Sequence, residues 1–424
     1  MIICKDRYFQ LTTKNTAYVL SYTDSGLLLH NYYGRKVDFI NYENIRAKLD
    51  CGFGTSVLYE GNPDEHLDVL ELEFSSIGIG DYRESLITIY NGDLGYSSNF
   101  KYRGYEILKS NCESIPNSYD ESEVLRIDLY DDVAKIGIQL FYKVFEDSDT
   151  ISRYLKITND SSDAFHLRRC FSLQLDMLAD DYLMLTFEGT WARERHVCEK
   201  ELVSGIYIND SKTGASSNRH NPLVIIKKKH TTENTGDCYG FNLVYSGNHK
   251  TTIEITPLHR MRILSGINDH AFDFTLEAGC NFITPEAVIT YSACGLNGVS
   301  QNFHNFINNH IVRGLYKNKA RPVLLNSWEA TYFKFNEKKL LALAKEAAKV
   351  GIELFVLDDG WFGKRDDDTS SLGDWDVNYR KLPHGLEGLA KKINNLGLDF
   401  GLWVEPEMIN EKSDLYREHP DWAV

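Results

Sequence analysis

Leu357-Asp358-Asp359-Gly360-Trp361-Phe362-Gly363 is the stretch that decides the fold of this 424-residue chain. It closes a mostly apolar run, residues 352–357, of the kind that forms a buried parallel strand. Two carboxylates and a glycine follow at once. In (β/α) folds, ligand-binding side chains stand at the carboxyl ends of the strands. The stretch therefore predicts a (β/α) scaffold with a binding site at this strand end.

The same pattern recurs on either side of this stretch. Two more apolar segments end in polar and aromatic residues: 321–325 before Asn326-Ser327-Trp328-Glu329, and 398–402 before Trp403 and Glu405-Pro406-Glu407. Helical patterns over 336–350 and 386–396 separate the three strands, and each is followed by a glycine suited to a helix C-terminus. This βαβαβ order predicts a parallel sheet over residues 320–424.

The sequence before residue 300 has a different pattern, with short alternating segments in place of long helical ones. Turn signals rich in Gly, Asn, Asp and Ser recur between alternating segments such as 128–141, 183–187 and 251–256. So many short strands need two inner faces to bury their apolar residues, which predicts one antiparallel β domain of two packed sheets over 1–300. Residues 301–319 are predicted to form a helical connector.

Composition excludes several classes of protein. A length of 424 residues favours two domains, and a net charge of -15 disfavours nucleic-acid binding. No run is long and apolar enough for a membrane span, and Met1 to Leu11 carries no signal-like apolar core, so we expect no membrane partner and a cytoplasmic location. The eight cysteines form no Cys-x-x-Cys pair, which argues against a zinc site or a dense disulfide framework.

Carboxylates and indoles together suit a sugar. A carboxylate can accept hydrogen bonds from two hydroxyls, and the apolar C–H face of a sugar packs on an indole ring. Four of the six tryptophans fall within the strand-end region: Trp328, Trp361, Trp375 and Trp403. The region is therefore predicted to form a carbohydrate pocket.

Four motifs in this region resemble those of the α-galactosidases (melibiases) of glycoside hydrolase family 36: residues 326–333, 357–363, 373–375 and 401–408. Upstream segments are similar to the N-terminal β-supersandwich of that family: Gly80 to Arg83, Trp191 to Arg195, His220 to Pro222, and Tyr245 to Asn248. The resemblance implies a multidomain fold. An antiparallel β-supersandwich would precede the first three βα units of an incomplete (β/α)8 TIM barrel.

The resemblance also implies an activity: retaining hydrolysis of terminal α-galactosyl groups from raffinose-type oligosaccharides. Asp358 and Asp359 would bind the hydroxyls around O4 and O6, and Trp328 and Trp403 would line the pocket. The reaction uses two carboxyl groups about 5 to 5.5 Å apart and needs neither metal nor cofactor. Similar enzymes are tetramers in which one N-terminal domain approaches a neighbouring active site.

That arrangement makes Asp81 and Arg83 candidate substrate-binding residues, with a surface ion pair as the alternative. Glu405 and Glu407 are catalytic candidates from pattern alone, whereas the resemblance assigns them to pocket support. The alternative for Asp358 and Asp359 is a helix N-cap.

Further segments have simpler expected roles. Asp366 to Asp368 are expected to form a solvated loop rather than a cation site. Trp191, Arg193 and Arg195 are expected to stabilise the β domain or its interface, with Arg stacked on Trp as one possibility. His220 is expected to be a hydrogen-bonded loop residue. Ser216-Ser217-Asn218 departs from the Ser-Ser-His of similar proteins, so the role of that loop stays open.

Two other functions use the same residues. An α-galactosyl transferase of the raffinose or stachyose synthase type would use the same pocket with a sugar acceptor in place of water. A non-catalytic galactose-binding or oligomerisation module would need the β domain without the reaction.

The catalytic aspartates are expected beyond Val424, because no Lys-Trp-Asp segment of the kind that carries the family's nucleophile occurs in this sequence. We expect a verified 424-residue preparation to release no chromophore from a chromogenic α-galactoside. Turnover that persists after host enzymes have been removed would contradict this expectation.

Overall fold

The structure is a computed structural model that describes residues 1–38, 58–109, 116–119, 123–216 and 219–423. The chain divides into two compact units, Met1–Arg313 and Gly314–Val424. The domain boundaries predicted from the sequence, at 300 and 319, remain predictions. Within the described ranges, no helix has both the length and the apolar content needed to cross a bilayer.

The first unit contains twenty described strands, most of them antiparallel neighbours. They are β1 (Ile2–Lys5), β2 (Tyr8–Thr12), β3 (Thr16–Tyr22), β4 (Leu28–Arg35), β5 (Ile87–Tyr90), β6 (Lys101–Lys109), β7 (Glu123–Asp131), β8 (Ile136–Phe145), β9 (Thr150–Asn159), β10 (Phe165–Leu178), β11 (Tyr182–Thr190), β12 (Arg193–Glu201), β13 (Gly205–Asp210), β14 (Val224–Lys228), β15 (Cys238–Val244), β16 (His249–Ile255), β17 (Arg260–Ile267), β18 (Phe274–Leu276), β19 (Asn281–Ile283) and β20 (Glu286–Ser292).

These strands form three sheets. Strands β1 to β4 form one sheet in chain order. A second sheet has the order β13-β16-β17-β10-β18, with β5 also pairing with β10, and a third has the order β12-β11-β14-β15-β20-β9-β8-β7-β6, with β19 on β9. One hydrophobic core joins side chains from all three sheets, such as Leu20, Leu173 and Leu140. This is the packed antiparallel β domain that the alternating segments predict.

One predicted segment is divided. Residues 128–141, which alternate throughout, belong to two strands, β7 and β8, that pair with each other across a tight turn. The carboxylate of Asp131 accepts hydrogen bonds from the amides of Val133 (2.9 Å) and Ala134 (3.0 Å), and Lys135 takes a left-handed φ of 57°. An aspartate that binds amides two and three residues ahead favours a turn over a continuing strand.

Buried charges tie the sheets together. Glu73 is fully buried and accepts hydrogen bonds from Tyr18, Tyr142 and the Arg153 guanidinium, whose Nη1 lies 2.8 Å from Oε1. Burial, followed by the charge of Glu73, raises the pKa of Tyr18 well above its ordinary value, so that hydroxyl stays a donor. A buried charge is tolerated when it is paired and hydrogen-bonded in this way.

Helix α1 (Gly295–Phe306) follows the last strand and continues into a π-helical turn (Ile307–Ile311). Its residues Val299, Phe303 and Phe306 pack with Phe145 and Val288 in a second buried cluster. Thus α1 begins before the connector predicted over 301–319, and its apolar side is covered by the β domain.

The second unit is a parallel α/β segment. Its strands are β21 (Leu324–Asn326), β22 (Leu354–Leu357) and β23 (Asp399–Leu402), and its helices are α2 (Trp328–Thr331), α3 (Glu337–Lys349), α4 (Gly385–Asn394) and α5 (Asp414–Glu418). The strands pair in parallel in the order β21-β22-β23. The predicted fold class, an antiparallel β domain followed by the first units of a (β/α) barrel, is confirmed.

We expect Glu73→Gln to lower the free energy of unfolding of the first unit by about 3 to 5 kcal/mol, because Arg153 would remain buried without a counter-charge. The hydrogen exchange of the slowest amides in β8 and β9 measures this energy. Glu106→Gln removes a half-exposed partner of Arg126 and should stay within about 0.5 kcal/mol of the wild type. Equal effects of the two substitutions would contradict the assignment of Glu73.

Candidate active site at the strand ends

The parallel register brings three loops to one edge of the second unit. Ser327 donates its amide to the carbonyl of Val356 at 3.0 Å, and Trp403 donates its amide to the carbonyl of Leu357 at 2.9 Å. Asp358, the residue that follows Leu357, donates its amide to Ser327 Oγ at 3.1 Å. The segments that carry Trp328, Asp358 and Trp403 therefore start side by side at the carboxyl ends of β21, β22 and β23.

Asp358 is half-buried, and its neighbours fix its carboxylate. Its Oδ2 accepts a hydrogen bond from Asn326 Nδ2 at 2.5 Å, and its Oδ1 accepts the amide of Asp359 at 2.7 Å. Each carboxylate oxygen keeps acceptor capacity for a further donor. The segment from 358 to 384 contains no helix, so the N-cap alternative for this aspartate pair is wrong.

Asp359 is more deeply buried and faces a cation. Arg365 donates Nε to Oδ1 at 2.9 Å and Nη2 to Oδ2 at 2.8 Å. The side chains of Arg365 and Asp359 are 5% and 8% exposed, so this is a buried bidentate ion pair. The adjacent Gly360 has a φ of +97°, a turn that allows two consecutive aspartates to leave the strand end in different directions.

Aromatic rings surround these carboxylates. The indole of Trp361 donates Nε1 to the carbonyl of Trp403 at 3.0 Å, and Trp375 lies between them at ring-centroid distances of 6.2 and 6.5 Å. Trp328 packs edge-on against Tyr332 and Phe333, both at 5.1 Å. Trp328 and Trp403 are half-buried and so keep part of each ring accessible.

Glu405 follows Trp403 into the same region. Burial, and then the charges of Glu407 and Asp359, raise the pKa of Glu405 above its ordinary value. Glu407 and Asp359 thus add like charge to the burial that disfavours the ionised form of Glu405. The pocket-support role of Glu405 that the family resemblance implies remains a prediction.

Sequence reasoning missed two cations of this site, Arg365 and Lys381. Lys381 Nζ donates to the carbonyls of Gly360 and Arg365, both at 2.8 Å. Burial lowers the pKa of Lys381 below its ordinary value, although Asp366 opposes that effect. The one available sequence signal was a basic residue, Arg365, standing immediately before three aspartates.

The acidic run after Arg365 is partly neutralised. Asp366 pairs with Arg380 and with Lys381, and Asp367 Oδ1 accepts the amide and hydroxyl of Thr369 at 2.9 and 2.7 Å. All three aspartates of the run are exposed. They thus form the predicted solvated loop.

Asp81 and Arg83 lie in the first unit, where they form a buried ion pair. Arg83 Nε lies 2.8 Å from Asp81 Oδ1, and Arg262 and Asp176 complete a four-charge network in which Arg262 Nη2 lies 2.8 Å from Asp81 and 2.7 Å from Asp176. The surface ion pair considered as the alternative is therefore wrong. Burial would raise the pKa of Asp81, but Arg262 and Arg83 outweigh it and hold the pKa below its ordinary value.

The remaining upstream candidates are spread over the β domain. Trp191 is 89% exposed at the turn between β11 and β12, so it does not stabilise the β domain by burial, and its expected role at an interface remains a prediction. Arg193 and Arg195 are exposed in the same hairpin. The carbonyl of His220 contacts His249 Nε2 at 2.9 Å, in keeping with a hydrogen-bonded loop. Ser217 and Asn218 lie outside the described residues.

Acidic and indole side chains thus stand at the ends of parallel strands in a (β/α) unit that follows a large antiparallel β domain. Residues 26–277 match the profile of the glycosyl hydrolase family 36 N-terminal domain, and residues 281–424 match that of Melibiase. The chain belongs to glycosyl hydrolase family 36.

Similar proteins cover almost the whole chain. It is 40% identical to the α-galactosidase AgaA of Geobacillus stearothermophilus and 39% identical to the α-galactosidase Mel36A of Lactobacillus acidophilus, in each case over 99% of this chain and 58% of the relative. The chain thus spans less than two thirds of the length of these relatives.

Solved structures agree with the fold. The galactosidase domain of the α-galactosidase–sucrose kinase AgaSK superposes with a TM-score of 0.95 at 39% identity, over 100% of this chain and 60% of that one. A substituted AgaA from Geobacillus stearothermophilus in complex with raffinose also gives 0.95 at 39% identity, over 99% and 59%.

The stability of the first unit should depend on pH through Asp81. A carboxylate with a lowered folded-state pKa contributes stability above its unfolded value, about 3.9, and that stability is lost as the pH falls through the folded value. Asp81→Asn should therefore be less stable at neutral pH, and its difference from the wild type should narrow below about pH 4. Chemical unfolding across this range measures the difference, with Asp93→Asn, at an exposed site, as the surface-charge control. A constant difference would contradict the role of Asp81.

Proposed function

We propose that this chain contributes the sugar-recognition edge of an α-galactosidase that hydrolyses terminal non-reducing α-D-galactosyl groups from oligosaccharides. The observation that carries the proposal is the alignment of Asp358 and Trp403 at the ends of adjacent parallel strands, fixed by the 2.9 Å bond from the Trp403 amide to the Leu357 carbonyl. A carboxylate and an indole on one edge match the polar and apolar faces of a hexose.

The substrate-binding roles follow from burial and free acceptors. We assign the hydroxyls around O4 and O6 to Asp358 and Asp359, whose oxygens keep lone pairs beyond their protein partners. Trp328 and Trp403 line the pocket. Raffinose-type oligosaccharides are the proposed substrates, because a relative of the same fold has been crystallised with raffinose.

The proposed reaction is a double displacement with retention. An aspartate forms a glycosyl-enzyme intermediate, and a second carboxylic acid protonates the leaving oxygen and then activates water. The aspartates that react are not assigned to residues of this chain. Asp358 and Asp359 bind hydroxyls and do not attack the sugar.

Asp81 and Arg83 are proposed to contribute through a second copy of the protein. Their charges are paired with each other and with Arg262 within the first unit. The two side chains therefore fix the backbone around Tyr82 and are not available to bind a ligand. Tyr82, between the two, is 85% exposed and is the side chain that the loop presents. We propose a homo-oligomer in which this loop borders the sugar site of a neighbour.

A cytoplasmic location is proposed from the thiols. Cys170 and Cys238 are free and buried, and Cys4, Cys198, Cys280 and Cys294 are also free. Unpaired cysteines are typical of proteins in reducing compartments.

Galactose binding by the 424-residue chain tests the assigned site. Asp358→Asn should weaken the affinity for galactose by about 10- to 100-fold, because a hydrogen bond to a charged acceptor contributes about 1.5 to 3 kcal/mol. Isothermal titration measures this change, with glucose, which differs at O4, as the competing ligand.

Asp368→Asn is the matched control, since it makes the same substitution at an exposed residue of the same loop. Its affinity should equal that of the wild type. An affinity for glucose equal to that for galactose would contradict the proposed site. So would an affinity for galactose that Asp358→Asn leaves unchanged.

A further inference from the structure

The loop that carries Asp358 and Asp359 runs from the end of β22 to the start of α4, over residues 358–384. Apart from one bridge, between Phe362 and Val377, it has no helix or strand of its own. Backbone bonds such as those from Gly363 to Asp376 (2.7 Å) and from Asn378 to Trp361 (2.8 Å) shape the loop, and side-chain contacts add to them at the two carboxylates. Asn326 holds the carboxylate of Asp358. Two buried cations, Arg365 and Lys381, hold the carboxylate of Asp359 and the turn that follows it.

Lys381 joins the two ends of the aspartate turn. Its Nζ donates to the carbonyl of Gly360, immediately after the aspartate pair, and to the carbonyl of Arg365, each at 2.8 Å. Its third partner is Asp366 Oδ1 at 3.2 Å. An ammonium has three donors, and these three acceptors account for them. Lys381 therefore has no donor left for a sugar.

Arg365 links the backbone that Lys381 holds to the carboxylate of Asp359. It holds Asp359 through Nε and Nη2, and its Nη1 donates to the carbonyl of Ser370 and to Asn410 Oδ1, both at 2.9 Å. The chain of contacts thus runs from Gly360 through Lys381 to the backbone of Arg365, and through the guanidinium back to Asp359. Moving any one of these groups would move the carboxylate.

The space around the turn leaves little freedom. A side chain added at Gly360 would meet Phe333 and Phe335 at 3.2 Å and Lys381 Nζ at 3.4 Å. The ammonium of Lys381 lies 4.9 Å from the centre of the Phe335 ring. Lys381 is 6% exposed, so water cannot easily replace it as the partner of the two carbonyls.

We propose that Lys381 is a positioning residue for sugar recognition: by fixing the carbonyls of Gly360 and Arg365 it holds the aspartate turn and, through Arg365, sets the direction of the Asp359 carboxylate. This inference rests on the proposed sugar site and goes beyond it, since Lys381 touches no substrate. A purely stabilising lysine would change the melting temperature of the second unit. A positioning lysine also changes the affinity for galactose in protein that remains folded.

Two substitutions of the full 424-residue chain test the proposal. Lys381→Met removes every donor and should weaken galactose binding at least tenfold. Lys381→Gln keeps an uncharged amide NH2 group on a side chain one bond shorter and should weaken it about threefold. Lys391→Met, at an exposed lysine of α4 that pairs with Glu387, should bind galactose as the wild type does. Isothermal titration is carried out below the melting temperature of every variant.

Hydrogen exchange without sugar provides the second readout. In Lys381→Met, the amides of residues 358–366 should exchange at least tenfold faster, while those of α3 keep their wild-type rates. If the Met variant does not fold, the Gln variant decides by the same two measurements. Wild-type affinity together with wild-type loop exchange would overturn the proposal, as would exchange that rises equally in α3 and in the loop.

The measurements distinguish a failure of the proposed sugar site from a failure of the proposed role of Lys381. If the unsubstituted chain binds no galactose, the sugar site is wrong, and loop exchange alone then decides whether Lys381 fixes the aspartate turn. If the chain binds galactose and both Lys381 variants bind it equally well, the sugar site stands and the positioning role is wrong.

Discussion

The hydrogen-bond register of three parallel strands is the constraint on which the candidate site depends. Residues Leu354 to Leu357 of β22 pair with Asp399 to Leu402 of β23, and the ladder continues one step further through the Trp403 amide. In a strand, a slip of one residue reverses which face each side chain occupies. The buried Leu357 fixes the face that enters the core, and it thereby fixes where Asp358 leaves the sheet.

Paired buried charges organise both units. In the first unit, Glu73 binds Arg153 and Lys143 binds Glu286, with every one of these side chains at most 2% exposed. In the second unit, Arg365 holds Asp359. A buried charge without a partner is costly, so each pair fixes the relative positions of the segments that supply it. Paired buried charges therefore stabilise the β sheets of the first unit and hold the Asp359 carboxylate at the candidate site of the second.

Local sequence patterns predicted many of the helices and strands. Where an observed element differs from the predicted one, a nearby residue explains the difference. The helix predicted over 336–350 is Glu337–Lys349, with Asn336 Oδ1 accepting the Lys339 amide at 3.0 Å as its N-cap. The strand predicted from 321 begins at Leu324, after Pro322, which has no amide to donate to a ladder. Residues 128–141 form two strands because Asp131 stabilises a turn between them, which the alternation of apolar and polar residues does not reveal.

The sequence by itself determined the βαβαβ order of residues 320–424, the acidic and aromatic residues at its strand ends, and the resemblance to glycoside hydrolase family 36, because periodicity and motif spacing are local properties. Only the tertiary structure decided which charges meet. Arg153 pairs with Glu73 across 80 positions of sequence. Asp81 and Arg83, for which the sequence left a surface ion pair as the alternative, are buried with Arg262. Such pairings depend on burial, which removes water as the competing partner, and burial exists only once distant segments have packed.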